Sequence, residues 1–172
     1  MDCTIRRAIA SDAVALTRLA TRTFSDTFAR DNRPEDMAAY IAALHSPALQ
    51  LAEITSPQFT TLLAGTDEPI AFAQLKHGQA PACVTAPHSV ELYRFYVEHA
   101  WHGRGVAAQL MRAVLAEAEA AGTATVWLGV WERNPRAIAF YHKWGFVDVG
   151  TQKFHMGSDV QTDRLMVRLS GE

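Results

Sequence analysis

Apolar and polar positions along this chain recur in two periods, and the switches between them mark its elements. Residues 4 to 9 (TIRRAI) alternate weakly and read as a strand. Ser11 and Asp12 then read as an N-cap, opening a helix with Leu16, Leu19, Thr23 and Phe24 on one face. Pro34 opens a second helix, with Glu35 and Asp36 at the positive end of its dipole, and the pattern runs to about His45. Its Met37, Tyr40, Ile41 and Leu44 share a face. Pro47 and Pro57 bracket a short helical segment. FTTLLAG and PIAFAQLKHG then flank the turn residues 65 to 69 as an antiparallel hairpin, and residues 79 to 88 read as loop.

The second half is patterned more sharply. SVELYRFYV (89 to 97) is a β-prone run, and VAAQLMRAVLAEAEAA (106 to 121) is an alanine-rich helix closed by Gly122. TVWLGVW (125 to 131) is almost wholly apolar, which predicts a strand covered on both faces. Residues 135 to 144 form a helix stopped by Gly145, and FVDVGTQKF, a turn near Gly157 and Asp159, and TDRLMVRL form a closing hairpin. Buried strands between helices imply an α/β architecture. No internal repeat, heptad run or low-complexity tract interrupts it.

Composition narrows the class. A chain of 172 residues, 49% hydrophobic and 20% charged, is expected to form one domain over residues 1 to 172. Its formal charge of -2 lacks the basic excess that a phosphate backbone demands, so no nucleic acid partner is expected. No stretch approaches the roughly 20 apolar residues that span a bilayer, and the N-terminus lacks the apolar core of a signal peptide. Cys3 and Cys83 lie far apart and read as thiols of a reducing compartment, so the expected location is cytoplasmic.

The most informative stretch joins the strand at 89 to 97 to the helix at 106. There AWHGRGVAAQ places Gly103 and Gly105 where several backbone N–H groups converge at a helix's positive end, a geometry that favours a phosphate. Arg104 adds a cation at the rim. The same glycine pair also serves as an ordinary tight turn. The loop lacks the Gly-Lys-Ser/Thr of a Walker A motif and the placement of a dinucleotide GxGxxG. His99 and His102 fall on a loop without a companion Cys or carboxylate cluster, so no metal is expected.

With its flanks, the loop resembles the pyrophosphate signature of the GNAT acetyltransferases, Gln/Arg-x-x-Gly-x-Gly/Ala. Here it reads His102-Gly103-Arg104-Gly105-Val106-Ala107, departing at His102. A second block, NPRAIAFYHKWGF (134 to 146), is similar to that family's Asn-x-x-Ala-x-x-Phe-Tyr-x-x-x-Gly-Phe. The resemblance implies an α/β (α+β) GNAT fold. Its central, mostly antiparallel seven-stranded sheet has helices on both faces, and only strands four and five are parallel and splay apart. It implies acetyl-CoA in that gap, with pyrophosphate on the loop of His102, Gly103, Arg104, Gly105, Val106, Ala107 and Ala108. Pantetheine would lie on the backbone of Phe95 and Val97 and on Asn134, whose bland alternative is helix capping alone. A cationic His102 would make that affinity pH-sensitive.

The same resemblance suggests catalytic roles. Glu91 is the candidate base that frees the acceptor amine through water; its alternative is an exposed strand carboxylate. Tyr141 is the candidate donor to the departing thiolate; its alternative is core packing. Neither cysteine is placed for a covalent intermediate, so direct transfer is expected. The acceptor is expected to be a small primary amine. The tail TQKFHMGSDVQTDRLM together with WLGVWERN looks like the bacterial branch that acetylates spermidine and spermine. Glu98, Asp148, Asp159 and Asp163 would supply negative charge for a polycation or merely be solvated. His142 and His155 line an acceptor pocket or decorate the surface. Rival readings are acetylation of a protein N-terminus, lysine or aminoglycoside, and a non-catalytic acyl-CoA sensor. The closing hairpin makes a homodimer the default expectation.

Overall fold

The computed structural model describes residues 3–85, 88–123 and 125–169. In chain order the elements are β1 (Thr4–Arg7), α1 (Ala13–Phe28), α2 (Pro34–Leu44), α3 (Pro47–Thr55), β2 (Phe59–Gly65), β3 (Pro69–Lys76) and β4 (Ser89–Val97). There follow α4 (Val106–Ala120), β5 (Thr125–Trp131), α5 (Pro135–Lys143), β6 (Val147–Met156) and β7 (Asp159–Leu169). The strands form one seven-stranded sheet in the order β1-β2-β3-β4-β5-β7-β6, antiparallel throughout except for β4 beside β5. Among the described residues no helix is long and apolar enough to cross a membrane.

Alternation along the inner strands explains why both faces carry helices. Leu62, Ala64, Ala71, Ala73 and Leu75 point to one side and pack with Leu110, Met111 and Val114 of α4. Their neighbours Leu63 and Phe72 point to the other and pack with Leu16, Leu19 and Ala20 of α1. Helix α2 lies over the closing hairpin, where Ser158 donates its backbone N–H to the Asp36 carboxylate at 3.0 Å. Strand β1 stops at Arg7, short of the expected end, and the Asp12 side chain does other work than capping α1. Its carboxylate accepts from Arg6 at 2.7 and 2.9 Å and from the N–H of Ile9 at 2.8 Å, tying the turn between strand and helix. The Arg6 guanidinium holds the Asp12 carboxyl below its usual range.

One charged network is built into the face covered by α3. Register shifts between Gln74 and Leu75, which pair with Arg94 and Leu92, leaving Tyr93 as an extra residue in β4. The bulge turns Arg94 inward, where its Nη1 donates to Glu53 Oε2 at 2.5 Å and to Gln74 Oε1 at 2.7 Å. Gln74 Nε2 in turn donates to Glu53 and to Thr61 Oγ1. Glu53→Ala leaves the buried guanidinium uncompensated, and the expected cost is about 3–5 kcal/mol. Urea denaturation measures it; a loss below about 1 kcal/mol would mean that water reaches Arg94 without opening the fold.

Candidate active site

Strands β4 and β5 pair over only three registers, Ser89 with Thr125, Val90 with Val126 and Glu91 with Trp127, and then part. Beyond that fork Glu98 donates its N–H to Ile70 of β3. Because successive residues of a strand point their backbone groups to opposite edges, those of Phe95 and Val97 face the gap. A cavity of about 420 Å³ fills it. Most of the residues singled out from the sequence meet there: Phe95, Val97, His102, Gly103, Gly105, Ala107, Ala108, Asn134 and Tyr141 all line the cavity. Three do not. Val106 is buried in the core, Arg104 stacks its guanidinium over Trp101 with Cζ 5.4 Å from the ring centre, and Glu91 sits at the fork between Lys76 and Trp127.

The glycine loop takes its shape from left-handed backbone at Gly103 (φ 74°) and Gly105 (φ 83°), the latter standing at the N-cap of α4. No side chain caps α4, so the N–H groups of its first turn are presented to the cavity mouth at the dipole's positive end. Nothing lies within 4 Å of where a β-carbon would stand on either glycine. Their role in the free protein is therefore conformational.

His102 departs from the expectation of a cationic phosphate contact. Its Nε2 donates to the carbonyl of Val97 at 2.9 Å, and its Nδ1 accepts from Arg136 Nη1. An Nδ1 that accepts from a guanidinium carries no proton, so the ring is the neutral tautomer. Burial is the largest influence lowering its pKa; the Val97 bond opposes this, and the Arg136 charge adds to the lowering. Arg136, at the start of α5, thus brings a guanidinium to the mouth, and the Val97 carbonyl is already engaged.

Asn134 is the N-cap of α5, where its Oδ1 accepts from the N–H of Ala137 at 3.1 Å. The amphipathic helix behind it turns Tyr141 inward, only 8% exposed, against Phe95 and Phe146. Burial raises the Tyr141 pKa, so the phenol keeps its proton at neutral pH.

On the opposite wall stand aromatic groups that sequence reasoning passed over, and beside them Asp163, which it weighed only as one of several scattered carboxylates. Phe28 of α1 packs on Trp131 of β5, with ring centres 5.7 Å apart, and Tyr93, Arg94 and Tyr96 of β4 complete the wall. Asp163 lies across from Trp131 on β7, and its Oδ2 stands 3.3 Å from the point a β-carbon on Gly129 would occupy. Burial pushes its pKa up to about 6; a hydrogen bond from Gln152 lowers it and the Glu132 charge raises it. The signal in the sequence was Gly129 itself, a missing side chain inside an apolar strand. Burial likewise raises the Glu91 pKa, against the charges of Lys76 and Arg94.

The remaining carboxylates are already partnered: Glu98 with Arg22, Asp148 with Arg164 and His142, and Asp159 with Gln161. His142 donates from Nδ1 to the carbonyl of Phe146, which fixes it at the end of α5. His99 meets His102 edge to face, and no third metal-binding side chain joins them among the described residues.

Comparison with known proteins converges on one family. Residues 14–146 match the acetyltransferase (GNAT) family. An uncharacterized N-acetyltransferase of Mycobacterium tuberculosis (strain ATCC 25618 / H37Rv) is 37% identical over 159 residues, which cover 92% of this chain and 97% of that protein. One from Lactobacillus delbrueckii subsp. lactis is 31% identical over 149 residues, 86% of each chain. Among solved structures, the PaiA N-acetyltransferase of Thermoplasma acidophilum in complex with coenzyme A superposes with a TM-score of 0.80 at 23% identity, over 98% of this chain and 99% of that one.

Gly105→Ala puts a β-carbon on left-handed backbone, and the expected destabilisation is about 1–2 kcal/mol. Thermal or urea denaturation reads this. Unchanged stability would mean that the loop relaxes out of the conformation seen here.

Proposed function

This chain belongs to the acetyltransferase (GNAT) family and is an acetyl-CoA-dependent N-acetyltransferase, and from that premise we propose direct transfer to a primary amine inside the gap between β4 and β5. The observation that carries this is a single cavity reaching from the glycine loop, past the open edge of β4, to the wall formed by Phe28, Tyr93 and Trp131. A pantetheine chain is amide-bearing and narrow, and an open strand edge offers it the bonds that a neighbouring strand would make.

In this reading the N–H groups at residues 103 to 108 hold the pyrophosphate, with Arg104 and Arg136 supplying positive charge at the mouth. Both backbone groups of Phe95 and the N–H of Val97 hold the pantetheine, while the Val97 carbonyl stays with His102. Asn134 orders the start of α5 and lines the same passage.

An aliphatic ammonium titrates near ~10.4 in water and attacks only once it has lost a proton. Asp163 accepts that proton, since its carboxylate lies beside Gly129, which lines the cavity, and is ionised at neutral pH. The amine nitrogen then bonds to the thioester carbonyl carbon, and the carbon–sulfur bond breaks. Tyr141 gives its hydroxyl proton to the departing sulfur and recovers one from the nitrogen of the adduct. Glu91, at the fork, is the second reading for the base and would act through water. The spermidine and spermine reading rests on Asp163 beside the aromatic walls of Phe28 and Trp131, which suit a methylene chain with a cationic end. A homodimer through the outer strand β6 draws support from Val147, which is 57% exposed there.

The test is thiol release from acetyl-CoA with a panel of amines that includes spermidine. Stimulated release is expected, and acetyl-CoA binding without release on any amine would favour an acyl-CoA sensor. In Tyr141→Phe, kcat is expected to fall by roughly 10²- to 10⁴-fold. A smaller change would assign the thiolate's proton to water.

The raised pKa of Asp163 sets the pH dependence. Its proton-accepting form is lost as pH falls through about 6, so kcat/KM is expected to fall with it. Asp163→Asn is expected to abolish this acid limb along with most of the rate. If Glu91→Gln abolishes it instead, the base is Glu91. Ionisation of Asp163 is also disfavoured by folding. Because its folded pKa lies above the unfolded value of about 3.9, its ionisation costs stability progressively from pH ~4 to 6. Asp163→Asn is accordingly expected to match the parent below pH 4 and exceed it in Tm above pH 6.

A further inference from the structure

Arg94 is a buried donor whose hydrogen bonds the fold has only half filled. Its side chain is 7% exposed, and Nη1 is spent on Glu53 and Gln74. Nη2 is buried and meets no hydrogen-bond acceptor among the described residues, yet Arg94 lines the cavity. The ring of Tyr93 lies 4.5 Å from its Cζ and restrains the plane of the guanidinium. A charged N–H in such a place costs stability unless something arrives to accept from it. The bulge at Tyr93 is what brings Arg94 beside the gap.

The partner that fits is an oxygen carried by the acceptor. Glu53 offsets the charge from the Nη1 side, so the free protein does not hold a bare cation, and Nη2 keeps N–H groups that suit a carboxylate oxygen. A polycation offers Nη2 nothing to accept its proton. Beside Gly129, which lines the same cavity, Asp163 supplies the opposite charge. The two charged groups sit around the same phenols, Tyr40 and Tyr96, whose ionisation Arg94 favours and Asp163 opposes.

We propose that the acceptor is a small zwitterionic amine of the amino-acid class, whose carboxylate docks on Arg94 Nη2 while its ammonium faces Asp163. The proposal rests on the reading of this cavity as the acetyl-transfer site. It makes Arg94 a specificity-determining residue that leaves the reacting atoms untouched. The apolar wall of Phe28, Tyr93 and Trp131 would then receive the amino acid's side chain.

The experiment compares pairs of amines that differ only in the carboxylate, phenylalanine with phenethylamine and lysine with cadaverine, together with the corresponding amino-acid amides and spermidine. For the parent protein, kcat/KM is expected to favour the carboxylate member of a pair. In Arg94→Lys the ammonium still satisfies Glu53 and Gln74 but offers no second fork nitrogen, and the preference is expected to fall roughly 10- to 100-fold, mainly through KM. Calorimetry of the same amines against CoA-loaded parent and variant reads docking without turnover. Equal use of both members, equal use of the amides, or a preference that survives in Arg94→Lys would each overturn the proposal. Should Arg94→Lys unfold, Glu53→Leu with Arg94→Met replaces the pair by apolar groups and must lose the same preference. Absence of acetyl transfer to every amine would sink the reading of the cavity, while the calorimetric comparison would still decide the role of Arg94.

Discussion

The parting of β4 from β5 after Glu91 and Trp127 is the constraint on which the rest of this molecule turns. A parallel pair that ends in mid-sheet leaves strand edges without partners, and buried backbone groups do not stay unpaired at no cost. The chain accommodates this in two ways. His102 takes the Val97 carbonyl, and packing of Phe95 with Phe140 and Tyr141 holds the lower gap open at a fixed width. The remaining edge faces a cavity instead of a strand. A sheet paired along its full length would be more stable and would have no room for a thioester.

The opening also decides where charge sits. Helix α4 begins just beyond β4 and turns its uncapped N-terminus to one mouth of the gap, which suits an anion there. The other side is walled by aromatic rings from α1, β4 and β5, with a buried cation on β4 and a carboxylate on β7. Surface carboxylates contribute little to this, since Glu98, Asp148 and Asp159 are bound to their own neighbours. The asymmetry separates a mouth suited to an anion from a side suited to a molecule carrying both signs of charge.

Much of this was legible from the residues. The limits of β4 and β5 agree with the apolar runs, the helices begin at Pro34, Val106 and Pro135, and the glycine loop and Tyr141 come together in space. Legibility failed where geometry departs from simple periodicity. Arg94 shares the parity of Val90 and Leu92, which face α4, and only the bulge at Tyr93 turns it to the opposite face. Asp163 reads as one polar residue in an alternating strand two places from β4, and its closeness to the gap depends on Gly129 of the intervening β5. Asp12 has the composition of a helix cap, yet Arg6 and the N–H of Ile9 compete for its carboxylate and win. Each departure comes from a competing or distant partner or from a single inserted residue, which a period cannot encode.

The histidine in the first place of the loop motif follows from the same economy of partners. A long cationic side chain at 102 would reach outward, whereas imidazole is short enough to turn back and donate to Val97 while accepting from Arg136. Two tasks are thereby divided between two residues: the ring closes one open carbonyl of β4, and the guanidinium provides charge from the start of α5. A protonated ring would lose its hold on Arg136, because both nitrogens would then be donors. The lowered pKa and the pairing with a guanidinium therefore reinforce each other. Charge at this mouth comes from guanidinium groups, that of Arg136 among them, rather than from a protonated histidine.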